Sequence, residues 1–287
     1  MANAVNAQAV EENTDLRVDY TPNGWKLFDK AGDVKNAAKA VLAGCGWERV
    51  ARGGKCTYPQ LEQRAKQVKT WCGFMEIPSK VNSFIEHLTG FDVHQWQSYV
   101  EVLGDVTDIE SSLDDGVNVL SAEVSAGTKK ALELVGGPGL TIGMGCQIAL
   151  SGDKILKLRA NEARAQGLQQ SAGTDEGRRK YSSFSKALDA QLKHEWIKIA
   201  QFTSLFALGV FLIYTAWAQA AIAGTVLLCF STSALTWSYL SRFFEEFCVK
   251  PARADIGPLN LRAFAQEGFG KPLVPLAWRK RHFLSFF

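Results

Sequence analysis

Hydrophobic and polar positions are unevenly distributed along this chain. From Ile199 to Ser241, 43 consecutive residues include no Asp, Glu, Lys, Arg or His. At about 1.5 Å of rise per residue that run is about 65 Å of helix. A bilayer core is about 30 Å thick and takes about 20 apolar residues. The run therefore predicts two spans, at about 199–217 and 221–241, joined by almost no loop. Trp196, Tyr214, Trp217, Trp237 and Tyr239 fall near the span ends, as an interfacial aromatic belt requires. Lys193 and Lys198 precede the pair and Arg242, Lys250 and Arg253 follow it, which places both flanks on the cytoplasmic side.

Ahead of the spans the pattern has the 3.6-residue period of amphipathic helices. After Asp33, a good N-cap, Val34, Ala37, Ala38, Val41, Leu42 and Cys45 share one face, and Arg52-Gly53-Gly54-Lys55 stops the helix. A second helix starts at Pro59, with Leu61, Ala65, Val68, Cys72 and Met75 as its stripe and Arg64, Lys66 and Lys69 as a basic flank. Pro78-Ser79 opens a shorter one carrying Val81, Phe84, Ile85 and Leu88. From Asp92 to about Ser125 the period continues, with an acidic outer face at Glu101, Asp105, Asp108, Glu110, Asp114 and Asp115.

Leu134 to Gly152 is another uncharged run, 19 residues long. Gly136-Gly137-Pro138-Gly139 interrupts it, so the reading is a buried or interfacial helix from Leu140 to about Gln166, not a span. Thr174 or Asp175 then caps a basic helix that leads into the membrane. The resulting expectation is an all-α protein: a flexible segment at 1–24, an amphipathic helical domain at 25–166, a linker at 167–177, a basic helix plus transmembrane hairpin at 178–244, and an extended C-terminal tail at 245–287.

Composition narrows the function. The net charge of +3 is too small to argue for nucleic acid. The N-terminus has neither the basic-then-apolar order of a secretory signal nor the positive charge of a presequence. Six cysteines without a CxxC pair predict neither a disulfide framework nor a zinc site. His87 and His94 have no Cys, Asp or Glu at ligand spacing. The glycines at 139, 143 and 145 lack the strand and GK[ST] of a phosphate loop. No ionisable group lies within the spans, so proton- or ion-coupled transport there has no carrier. The expectation is a protein with no catalytic, metal or cofactor site.

Three stretches resemble a known family. Trp25–Trp47 reads WKLFDKAGDVKNAAKAVLAGCGW, in which Gly32, Asp33 and Lys35 are similar to a Gly-Arg-Asp-Lys-like turn, with the arginine absent and a valine intervening. Next come a basic amphipathic helix and Ser79-Lys80, then GTVLLCFSTSALTWSYL from Gly224, a small-residue, serine-containing run. Their order over residues 25–241 resembles the peroxin-eleven family of peroxisomal membrane proteins, which remodel and elongate peroxisomes before division. The tail after Arg242 is longer than that family usually carries. The resemblance implies a multi-pass protein of the peroxisomal membrane with both termini cytosolic, whose amphipathic helices, at 34–50 and 59–75, wedge into one leaflet. An apolar stripe with basic flanks favours anionic, curved interfaces.

The partners expected are therefore the lipid bilayer, with an anionic surface, and further copies of the chain. Candidate contacts with lipid are Val34, Lys35, Lys39, Val41 and Leu42 on the first helix and Leu61, Arg64, Val68 and Lys69 on the second. Trp196, Trp217 and Trp237 at the span ends, and Arg279, Lys280 and Arg281 between Trp278 and Phe283, complete the set. The alternative is an accessory structural subunit of a large complex in the mitochondrial inner membrane, a respiratory-chain or ATP synthase component. An acidic docking face and a long tail suit a chain laid over partner subunits.

Overall fold

The computed structural model describes residues 26–120, 126–218 and 224–255, with side chains described over a slightly smaller set. Every regular element among them is helical: α1 (Lys26–Ala51), α2 (Pro59–Thr89), α3 (Trp96–Leu120), α4 (Ala126–Ser171), α5 (Asp175–Ala218), α6 (Gly224–Phe244), a π-helical turn (Glu245–Val249) and α7 (Lys250–Ala254). The all-α expectation is met. The N-terminal segment at 1–24, the turn between the expected spans and the tail from 256 onward, with Arg279, Lys280 and Arg281, lie outside the described residues.

Helix boundaries depart from the sequence reading where packing outweighs local propensity. α1 is already helical at Lys26, so Asp33 sits inside it. Its end is as expected: Gly53 and Gly54 adopt φ of 63° and 99°, and the Gly54 N–H donates to the Arg49 carbonyl at 2.8 Å. Such a left-handed reversal is the usual helix stop. α2 does not break at Pro78. A proline removes one intrahelical bond, at about 3 kcal/mol in a helix interior. Pro78 lies on the exposed side, while bonds from Glu76 and Lys80 to neighbouring helices hold the inner side on both flanks. α4 likewise runs through Pro138, where Gly137 and Gly139 are buried and a Cβ on Gly137 would touch Ile213. The chain pauses only at 172–174, and Thr174 caps α5 by accepting the Gly177 N–H at 3.2 Å.

The described chain divides into two compact units. One takes 151–197 and 240–255. Leu158, Ala165, Phe184, Ala187 and Leu188 are sequestered at its centre, with Leu168, Tyr181, Leu192 and Ala252 packed around them, and Ser151, Asn161, Gln191, His194, Glu195 and Ser241 are buried as well. Polar bonds tie its helices. His194 Nε2 and Ser241 Oγ are 2.8 Å apart between α5 and α6, and Arg253 donates to Gln191 Oε1 at 2.8 Å.

The other unit takes the described parts of 26–150 and 198–239, and its packing is inverted. Its buried residues are all Ala, Cys, Gly, Ser, Lys or Glu: Ala31, Lys35, Ala38, Cys45, Glu62, Ala65, Cys72, Ser98, Cys146 and Ala234, together with six glycines. Its large apolar residues are half-buried or exposed, those of α2 prominent among the exposed. Consecutive helices pack on each other: α1 with α2 and α2 with α3, then α3 with α4 where a Cβ on Gly143 would collide with Thr107. α4 meets α5 at Thr141 and Gly209, and α5 meets α6 at Ser204–Ser233 (3.2 Å) and Phe211–Phe230 (centroids 5.2 Å). α6 closes back onto α1, with Leu228 over Gly46 and the Trp47 indole donating to Thr232 Oγ1 at 3.0 Å.

One described helix is long and apolar enough to cross a membrane, the Asp175–Thr215 stretch of α5. Only 6% of its most apolar window is buried inside the protein. The expected hairpin is corrected in this respect: α6 forms over the second predicted span but is not a candidate by the same measure. Thr225, Ser231, Thr232, Ser233, Thr236, Ser238 and Ser241 dilute its apolar content.

Candidate functional site

Two features of the inverted unit stand out as candidate sites: a charged seam on the inside of α1–α3 and an apolar row on the outside of α2. The seam starts at Lys35, buried on α1, whose ammonium reaches Glu76 Oε2 on α2 at 2.9 Å. Lys80, one turn on, lies 3.9 Å from the same carboxylate and donates to the Asp108 carbonyl of α3 at 3.1 Å. Asp105 takes the Ser83 hydroxyl at 3.2 Å and lies 2.6 Å from His87 Nδ1. Burial pushes the Asp108 carboxyl above the usual aspartate range, with Asp105 and Glu76 adding to the rise and Lys80 and Lys35 opposing it. The expected acidic outer face of α3 is thus turned, at Asp105 and Asp108, toward α2. Glu110, Asp114 and Asp115 have side chains outside the described set.

A second knot holds the helix ends. Glu62 is buried and pairs with Lys66 at 2.8 Å and with Arg49 of α1. These cations, Lys66 foremost, hold its carboxyl below the usual range against the opposing effect of burial. Both acids of the first two-thirds of α2, Glu62 and Glu76, therefore point inward.

The outward side of α2 carries Leu61, Val68, Trp71, Phe74, Met75, Val81, Ile85 and Leu88, all exposed, with Trp71 and Phe74 in edge-to-face contact at 6.3 Å. A soluble protein sequesters such residues and exposes its charges. In lipid the preference reverses: small residues line the helix contacts, and large apolar ones face the acyl chains. Hydroxyls along α5 and α6 follow the lipid rule that polar groups be satisfied internally. Ser204 donates to the Ala200 carbonyl at 3.0 Å, Thr232 to Leu228 at 2.7 Å and Thr236 to Thr232 at 2.9 Å.

The residues singled out from the sequence distribute as follows. Leu61, Arg64 and Val68 are exposed together on α2, and Lys69 beside them is half-buried. On α1, Val34 is 49% exposed and Lys39 is exposed, whereas Val41 and Leu42 are half-buried and Lys35 points into the seam. The buried face of α1 (Ala31, Lys35, Ala38, Cys45) shares Ala38 and Cys45 with the apolar stripe read from its sequence and is turned from it toward Lys35. Trp196 is exposed in the unit of 151–197 and 240–255, where Arg159 lies 5.8 Å from its ring centre. Trp237 is half-buried, and the Trp217 side chain is outside the described set. Sequence reasoning left Trp71 and Phe74 out of the stripe on the Pro59 helix, and it set Ile85 and Leu88 on a separate helix opening at Pro78, so the single row was not seen. It also missed the seam, whose only signal is Glu62, Ala65, Cys72 and Glu76 recurring at three- to seven-residue spacing.

Among the described residues, no group of three or more His, Cys, Asp or Glu side chains is placed to hold a metal ion. No family model, curated protein or solved structure matches the chain.

Proposed function

We propose that this chain is a non-enzymatic integral membrane protein that bends or elongates an organelle membrane. In this reading α5 and the returning α6 anchor it, and the outward face of α2 and self-association do the bending. The observation that carries the reading is the inverted unit, with small and paired charged residues inside and the row from Leu61 to Leu88 outside. With Glu62 and Glu76 turned inward, the exposed side of α2 is largely apolar, with Arg64 among Leu61 and Val68 and Glu86 between Ile85 and Leu88. A face of that kind inserts at the headgroup boundary of anionic leaflets and favours curvature. The peroxisomal membrane is the location that the sequence resemblance implies.

Purified protein added to liposomes rich in anionic lipid is expected to draw them into tubules, visible by negative-stain microscopy. Smooth vesicles at high protein-to-lipid ratio would contradict the proposal. A second reading, an accessory subunit of a large mitochondrial inner-membrane complex, is favoured by one further observation. Tyr99, Leu103 and Val106 on α3 add outward apolar surface that a partner subunit would cover as well as lipid does. Native electrophoresis in mild detergent separates the two: small homo-oligomers fit the first reading, a discrete megadalton band the second.

A further inference from the structure

In the unit of 151–197 and 240–255, three helices change composition at nearly one level. The uncharged run of α4 ends at Gly152 and gives way to Asp153, Lys154, Lys157 and Arg159. That of α5 begins at Ile199, just after Trp196 and Lys198, and that of α6 ends at Ser241, ahead of Arg242. Two contacts set these sequence-distant changes side by side. The Arg159 guanidinium of α4 lies 5.8 Å from the centre of the Trp196 ring on α5, and His194 Nε2 of α5 is 2.8 Å from Ser241 Oγ of α6. Among the described residues, the exposed large apolar side chains of this unit are Leu156, Trp196, Leu240, Phe243 and Phe247. Each lies within six residues of one of the three changes, and the rings of Phe243 and Phe247 are 4.6 Å apart. Aromatic side chains gathered where an apolar run meets charges mark a headgroup boundary.

The cations at this level differ in what they face. Lys193 is held by Asp189 at 2.6 Å and Lys250 by Glu246, each an acid of its own stretch of helix. Arg159 is exposed and stacks on an uncharged ring, which leaves its charge to an anion. We propose that Arg159, stacked on Trp196, binds the phosphate of an anionic phospholipid, within a collar of Leu156, Phe243 and Phe247 at the headgroup level where α5 enters the bilayer. The proposal rests on the reading of α5 as an anchor, and it adds to the α2 face a second lipid contact of different chemistry. A guanidinium presents its donors as a fork that fits two phosphate oxygens. Leu156 precedes Arg159 by three residues, on the same side of α4 and nearer its uncharged run. It therefore meets acyl chains while the guanidinium meets phosphate. In a zwitterionic lipid the headgroup's own cation competes with Arg159 for that phosphate, so anionic lipid is preferred.

Native mass spectrometry of the full-length protein in mild detergent, titrated with phosphatidylglycerol or with phosphatidylcholine, reads the site. The wild-type protein is expected to hold its first phosphatidylglycerol more tightly than phosphatidylcholine, and excess inorganic phosphate should not displace it. Arg159→Gln should weaken phosphatidylglycerol about fivefold, the usual weight of one basic residue at an anionic surface, and leave phosphatidylcholine unchanged. Arg179→Gln removes the same charge about 25 Å away along α5 and should change neither. Equal affinity for the two lipids, no loss in Arg159→Gln, the same loss in Arg179→Gln, or displacement by inorganic phosphate would overturn the proposal. Alkaline carbonate extraction of membranes carrying the wild-type protein reports on the anchor separately. Release would defeat the reading of α5, whereas retention with any of those lipid results defeats the phosphate site alone.

Discussion

Glu76→Ala is expected to destabilise the protein by about 3–5 kcal/mol, the usual cost of removing one partner of a buried ion pair. Lys35 has a side chain only 9% exposed, its ammonium faces Glu76 at 2.9 Å, and the Lys80 ammonium lies 3.9 Å from the same carboxylate. Alanine at 76 leaves the Lys35 charge among small residues without the carboxylate that balances it. Replacing both partners by apolar residues of similar length, as in Lys35→Met with Glu76→Leu, should cost far less, because neither member of the pair is then left as a buried charge facing a lost partner. Unfolding in detergent micelles, followed by circular dichroism, gives both values. A Glu76→Ala variant within about 1 kcal/mol of wild type, inside the range of ordinary surface changes, would show that the seam does not hold α1 to α2.

Gly209→Val should be the most damaging single change at the helix contacts of the inverted unit. A Cβ at Gly209 would sit 2.5 Å from Thr141 Oγ1, 3.0 Å from the Thr141 nitrogen and 3.2 Å from the Gly137 carbonyl oxygen. Two of those three atoms are backbone, so rotating Thr141 does not clear the space. α4 and α5 must move apart, and overpacking of this kind costs about 1–3 kcal/mol even for small additions. Gly136→Ala is the control: no atom lies within 4 Å of a Cβ there. Alanine should stabilise that position by up to about 1 kcal/mol through helix propensity. Thermal melting with a thiol-reactive dye should separate the variants, Gly209→Val melting well below wild type and Gly136→Ala at or above it. Equal melting of all three would remove close approach as the basis of the α4–α5 contact.

How much of this could be read from the chain differs from element to element. The helical class followed from the 3.6-residue stripes, and the stop at Gly53-Gly54 from residues that tolerate positive φ. Pro78 and Pro138 misled, because the cost of a proline is local whereas the contacts that outweigh it come from other helices. Sidedness was the harder loss. Periodicity places Leu61, Ala65, Val68, Cys72 and Met75 on one apolar stripe, but size divides them: Ala65 and Cys72 turn inward while Leu61, Val68 and Met75 turn out. A stripe does not reveal whether it faces a core or a solvent of lipid. Only the partners of Lys35 and Glu62, contributed by segments 13 to 41 residues away, fix which side is inside. The run from Ile199 to Ser241 was legible as apolar, yet uncharged is not the same as apolar, and the hydroxyls of α6 separate it from α5.

The central claim is that the outward row of α2 meets lipid. Spin labels on single cysteines introduced at Val68, Trp71 and Ile85, with Ala65 as the inward reference and the six native cysteines replaced, test it most directly in liposome-reconstituted protein. Relaxation by oxygen, which partitions into lipid, should exceed relaxation by a water-soluble nickel chelate at the three outward positions, and both should be low at 65. Strong relaxation by the chelate at Val68, Trp71 and Ile85 would place that face in water and contradict the account.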